Sequence, residues 1–461
     1  MTRPNILFLM SDEHRYDVAG FAGNEVVRTP VLDRLAQSGI VFDNAYTPAP
    51  ACVPARQCMM AGQLPKTCHC EGWIDLAPGY PTFAREFTRN GYHTLCSGKL
   101  HHLTQDQMQG WKHRVAPDAV MLDRYIEDPV ESEMARYRTS ISTGKWSNQR
   151  EIEEARAVEG PYQVFDAQAV DAALFWLDRY FRDPVYKRPM APRPLLLKLS
   201  LLQPHYPFFT DEDRFEYYLD RVPVFRQEPC GHPVLGVTNR DQAVDASEEA
   251  LRRATAAYYG MTDHVDTYFG QVLDRIESLG QDLDDWIIVY TSDHGDMLGE
   301  HGIWEKTKFY EGSVRVPLII RWPARFEGGR RVRENVNLCD LFATLCDMAG
   351  IGMPDNLDSR SLVPLMNGDV DNWDNESVSQ FGRDHVMIKR GSLKYQYYGE
   401  STPEVLFDLE GDPGETENLA GALAYAEVMD RFRRRLAELG HGPDGDKEYV
   451  NAGYGAGSRG A

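Results

Sequence analysis

Long apolar runs are missing from this chain of 461 residues, and no stretch of it could span a bilayer. Positive charge is short as well: 49 Lys and Arg against 70 Asp and Glu leave a formal net charge of -21. Such a field repels nucleic acid and anionic membranes as general partners, so an anionic substrate must be captured by local cations. Cysteine is sparse. The eight cysteines, at 52, 58, 68, 70, 96, 230, 339 and 346, are too scattered for the framework of a small secreted domain and fit reduced thiols. The sequence enters almost at once on the strand-like run Asn5-Ile6-Leu7-Phe8-Leu9-Met10, with no room for a charged leader, an apolar segment and a cleavage site. The chain therefore reads as cytoplasmic. What is present is a globular composition, 42% hydrophobic and 11% aromatic, at a length that allows a large core and more than one domain.

The run Cys52-Val53-Pro54-Ala55-Arg56 carries the strongest chemical signal. Proline two positions after a cysteine marks a helix start, where unpaired N–H groups and the positive end of the helix dipole favour negative charge. Arg56 adds a fixed cation one turn along. Further candidates sit where open parallel sheets place working residues, on loops after strands. Asp12 follows the first strand, Lys99 and His101 the strand near residue 95, His205 the Leu195–Leu202 run, and Asp293-His294 the strand at 286–291. Asp12, Asp293 and His294 are oxygen and nitrogen donors able to hold a divalent cation. Cys68-His69-Cys70 also suggests metal binding but lacks a second ligand pair, which favours a loop or subunit contact.

Strands and helices alternate over residues 1–370, the pattern of a large, mainly parallel sheet sandwiched by helices: an α/β fold. Helices are expected at about 30–39, 82–90, 163–181, 247–279 and 336–349, with a strand at 316–320. The charged stretch at 112–160 reads as a surface excursion. Residues 371–461 change character, with strands at 376–381, 385–390, 393–398 and 404–408 and a helix near 424–438. They form a small C-terminal α+β domain of antiparallel strands and a helix, ending in a Gly-rich tail.

The Cys52–Arg56 pentapeptide, continued through Met59, Met60, Gly62, Leu64 and Pro65, resembles the site at which sulfatases convert cysteine to formylglycine. The similarity extends to Gly98-Lys99-Leu100-His101, Gln203-Pro204-His205, Trp304-Glu305-Lys306 and Leu406-Phe407-Asp408, and so runs nearly end to end. It implies an alkaline phosphatase-like fold and hydrolysis of a sulfate monoester. A divalent metal, Ca2+ or Mn2+, would be held by Asp12, Asp293, His294 and the formylglycine made from Cys52. Arg56, Lys99 and Lys306 would stabilise the sulfuryl group, His205 or Lys306 would protonate the leaving oxygen, and His101 would accept the second hydroxyl proton. Maturation would need a formylglycine-generating enzyme. Glu13 departs from the second Asp common in sulfatases, and its part in the shell stays open. His102 and Lys308 are displaced neighbours of the matching positions.

A phosphonate monoester or phosphodiester hydrolase is the alternative, since such enzymes look similar around the modified cysteine. A thiol-dependent binding protein is a third reading. The ester is not legible; Trp73, Trp111, Tyr206 and Phe208 are aromatics that either wall the pocket or pack the core. A homo-oligomer is compatible with the insertions and tail.

Overall fold

The computed structural model describes residues 3–118, 148–182, 193–225, 227–236 and 244–443. The Gly-rich tail and most of the 112–160 stretch lie outside them. The strands of the first part are β1 (Ile6–Asp12), β2 (Ile40–Tyr46), β3 (His93–Gly98), β4 (His113–Ala116), β5 (Arg156–Ala157), β6 (Leu195–Pro204), β7 (Phe209–Thr210), β8 (Ile287–Ser292), β9 (Arg315–Val316), β10 (Leu318–Arg321) and β11 (Arg330–Asn337). The large sheet has the order β11-β2-β10-β8-β1-β6-β3-β4, with β9 on β2. Within it β10 and β9 run against their neighbours and the other pairings are parallel.

All seven residues of β1 and all ten of β6 are buried, because both faces of the sheet are covered. The two-residue period then sorts β1 cleanly. Ile6, Phe8 and Met10 join one apolar layer with Met59, Phe83 and Phe342, while Leu7 and Leu9 join the other with Leu197, Phe269 and Ile288. The first helix, α1 (Pro30–Ser38), starts with proline, and the Asp266 carboxylate of helix Glu248–Ser278 accepts from Val31 N at 3.0 Å and Leu32 N at 2.8 Å. That carboxylate answers two of the unpaired donors at the helix start.

Helix α2 (Cys52–Ala61) is buried along its whole length. It closes at Gly62, φ 66°, where an added Cβ would stand 2.7 Å from Phe342, so a side chain is refused on both counts.

Three expectations need correction. Residues 330–337 form strand β11, and the helix expected at 336–349 begins only at Asp340. Val332 and Val336 pair with β2, and the Asp340 carboxylate accepts from Asn337 N at 2.8 Å, which ends the strand and starts the helix. The charged residues between those valines hid the strand pattern. Within the supposed excursion at 112–160, His113–Ala116 is an edge strand on β3 and Asn148–Glu153 a short helix. The strand expected at 316–320 is broken at Pro317 into β9 and β10, since proline cannot donate to a ladder.

The architecture changes between the short helix Val363–Met366 and β12 (Glu376–Phe381), β13 (His385–Arg390), β14 (Leu393–Tyr398) and β15 (Val405–Asp408), an antiparallel meander. One face of it packs Val386, Ile388 and Tyr395 on Met429, Phe432 and Leu436 of helix Ala426–Glu438. The other sets Met387, Tyr398 and Phe407 against Tyr46, Phe309, Tyr310 and Val314. Lys394 bridges Glu311 Oε1 at 2.9 Å and Glu415, so the meander braces the segment around Lys306 through charge as well as apolar contact.

Candidate active site

The carboxyl ends of β1, β2, β3, β6 and β8 point the same way, and the loops leaving them meet. Asp12 ends β1, Asp293 follows β8, and Cys52 opens α2 after β2. The Cys52 sulfur lies 3.1 Å from His294 Nε2 and 3.7 Å from Asp12 Oδ1. Ligand atoms of Asp12, Cys52, Asp293 and His294 all fall within 4.8 Å of one another, and all four residues are buried.

The two carboxylates divide their oxygens. On the Oδ2 side, Arg56 Nε donates to Asp293 at 2.6 Å, Arg56 Nη2 to Asp12 at 2.9 Å, and Lys99 Nζ to Asp12 at 2.6 Å. The Oδ1 oxygen of Asp12 faces Cys52, and that of Asp293 lies 3.7 Å from His294 Nε2. His294 is aimed by its other nitrogen, Nδ1, 3.0 Å from Gly295 O. Fixed oxygens backed by cations, with one imidazole nitrogen turned inward, fit a divalent metal.

Arg56 Nη1 donates to Lys99 O at 2.8 Å and to Ser200 Oγ at 2.9 Å. All three guanidinium nitrogens therefore serve the framework. Lys99 owes its place to Gly98, φ 85°, where an added Cβ would stand 2.1 Å from Ser200 O. Burial works to raise the Asp12 carboxyl, but Lys99 and Arg56 outweigh it and hold the group well below the carboxylate range. Burial, with Asp12 beside it, pushes the Cys52 thiol up to about 11, so unmodified Cys52 is a poor nucleophile.

Glu13, left open by the sequence, turns to the other side. With φ 64°, it sends Oε2 to Lys306 Nζ at 2.6 Å and lies 3.3 Å from His205 Nε2, while Oε1 has no partner. Lys306 Nζ is also 2.8 Å from His205 Nε2. His205 and His101 are pushed well below their usual range, first by burial and then by Lys306 and Lys99 respectively. His101 Nδ1 is buried without a partner.

The displaced neighbours are elsewhere: His102 Nδ1 lies 3.1 Å from Gln107 O, and Lys308 Nζ donates to Val234 O at 2.7 Å. Asp118 was missed. Its Oδ2 accepts from Leu100 N at 2.9 Å and from His101 N, holding the loop that presents His101. A lone aspartate in a charged stretch offered no periodic or motif signal. Cys68 lies 3.5 Å from Cys58, sulfur to sulfur, within the apolar core, and His69 faces solvent, so Cys68-His69-Cys70 does not gather a ligand set.

A family model described as Sulfatase matches residues 4–351. The chain belongs to the sulfatase family. A second family model, N-sulphoglucosamine sulphohydrolase, C-terminal, matches residues 299–441 of this sulfatase. The arylsulfatase of Clostridium perfringens is 30% identical over 471 residues, covering 94% of each chain. The choline-sulfatase of Rhizobium meliloti is 32% identical over 442 residues, covering 91% of this sulfatase and 82% of that relative. Among solved structures, the phosphonate monoester hydrolase of Agrobacterium radiobacter superposes with a TM-score of 0.77 at 24% identity, covering 95% of each chain. That likeness is one of fold. The sulfatase is thus an enzyme on a large, mostly parallel sheet, and among the described residues no helix is long and apolar enough to cross a membrane.

Proposed function

We propose that this sulfatase hydrolyses a small anionic sulfate monoester with a formylglycine made from Cys52 by a formylglycine-generating enzyme. The observation that carries the reading is the burial of the Cys52 sulfur among Asp12, Asp293 and His294 at the start of α2. A divalent cation, Ca2+ or Mn2+, held by those residues would neutralise charge on the sulfuryl group; one hydroxyl of the hydrated aldehyde at position 52 would attack sulfur, and loss of the other hydroxyl's proton would re-form the aldehyde and release sulfate.

The chain's own residues do the rest. Arg56 is a positioning residue, because four of its five N–H donors go to Asp12, Asp293, Lys99 O and Ser200. The Lys99 and Lys306 ammoniums face the developing negative charge. Lys306 has three protons, two of them directed to Glu13 and His205, and delivers one to the leaving oxygen; His205 holds it in place. His101 Nδ1 takes a proton from the group at position 52. The thiols elsewhere in the chain are in keeping with a reducing compartment, the cytoplasm.

The test is the mass of the peptide bearing residue 52, together with paired kinetics on an aryl sulfate and an aryl phosphonate monoester. Formylglycine at 52 and preference for the sulfate are expected. An unconverted cysteine in active enzyme, or a large preference for the phosphonate, would overturn the reading.

A further inference from the structure

Burial falls in steps away from Cys52. Cys52, Asp12 and His294 are fully enclosed, Lys306 and His101 are 5% exposed, His205 is 8%, and Trp73 is 45%. Exposure thus rises from Cys52 through Lys306, His101 and His205 to Trp73. The Trp73 ring meets His101 edge to face, with centroids 5.4 Å apart at 65°. The other aromatics that the sequence left undecided resolve differently: Trp111, Tyr206 and Phe208 are buried, and Tyr206 lies with its ring 4.9 Å from Lys306 Nζ.

An indole this exposed normally gains little from its position, yet the loop presenting it is pinned at both ends. Asp75 accepts from Leu103 N at 2.7 Å and Thr104 N at 2.6 Å, on the chain that follows His101. Gln57, one residue beyond Arg56 on α2, accepts from Leu76 N at 3.1 Å. On the other side Gln380 of the small sheet donates to Glu71 at 2.7 Å. Anchoring both flanks of an exposed, rigid aromatic beside a reacting imidazole costs conformational freedom, and stacking against a substrate recovers it.

We infer that Trp73 forms the leaving-group subsite and selects sulfate esters whose leaving group is flat and uncharged, such as a phenol. This rests on the sulfate-ester reading above. A cationic leaving group is disfavoured there, because the Lys306 and Lys99 ammoniums beside Cys52 repel it. Trp73 touches the departing group and not the sulfuryl centre, so its contribution is to binding.

The experiment compares the wild-type enzyme with Trp73→Ala and Trp73→Phe on 4-nitrophenyl sulfate, methyl sulfate and choline sulfate. For Trp73→Ala, KM for the aryl ester is expected to rise about tenfold with kcat little changed, the size of one aromatic contact. Trp73→Phe should recover most of that loss, and methyl sulfate should be insensitive to either change. Equal losses on aryl and methyl esters, or no change on the aryl ester, would overturn the subsite. A larger loss on choline sulfate than on the aryl ester would overturn its preference for uncharged groups. Wild-type enzyme inactive on all three esters would instead sink the sulfate-ester reading, before any variant is compared.

Discussion

Two clusters of buried charge among the described residues are built differently. Around Lys394, one ammonium stands between Glu311 and Glu415, with Tyr46 OH 3.1 Å and Arg315 Nη1 3.5 Å from the far oxygen of Glu311. Its groups turn toward one another. Around Cys52 the charges are also paired, but Glu13 Oε1 and His101 Nδ1 remain buried without partners and Asp12 Oδ1 faces a sulfur. Burying polar capacity unmet costs stability, so a fold keeps it where a ligand will use it. The first cluster joins the small sheet to the segment bearing Lys306; the second is where the proposed metal and substrate would bind.

The sharpest way to break the contrast is Lys394→Met. Removing one partner of a buried ionic cluster should lower stability by about 3–5 kcal/mol, read by denaturant unfolding, while turnover per folded molecule holds. Acid titration sharpens the same point. Burial raises the Glu311 carboxyl, but Lys394 and Arg315 outweigh it and bring it to about 2. A carboxyl depressed in the fold gives its full stabilisation above the ordinary value of 4.5 and loses it as pH falls toward 2. The wild type should therefore lose stability through that window and the variant much less. Glu415, pushed up to about 7 by burial, works in the opposite sense, costing stability as pH rises above 4.5.

At the other cluster, Arg56→Lys should lower metal affinity about 10- to 100-fold, because a single ammonium cannot hold both carboxylates. Metal titration by calorimetry checks this, and a collapse of the fold in place of weakened binding would show that the two clusters are alike. The smallest effect is expected from Lys308→Met. With its ammonium on Val234 O, it should leave kcat/KM within about twofold, whereas a loss comparable to that of a Lys306 change would show that the two lysines share the site.

Much of this was legible in advance. The four strands and the helix of the small sheet were read nearly to the residue, because alternating apolar residues between Gly-rich turns are a local signal. Strand β11 was not, because its partner β2 lies almost three hundred residues earlier, and pairing there needs only Val332 and Val336 to be apolar. Asp118 and Asp266 were invisible for a related reason: each serves backbone N–H groups that come near it only after folding.

The sequence by itself determined the alternating architecture, the helix start at Cys52 and the order of residues able to do sulfatase chemistry. These follow from periodicity, from proline and from motif spacing, all of which are local. Only the tertiary structure decided that Arg56 serves the Asp12 and Asp293 carboxylates, that Glu13 turns to Lys306 and His205, and that Trp73 alone of four candidate aromatics is exposed. Which way a side chain points depends on neighbours brought together from distant parts of the chain, and no local pattern encodes that.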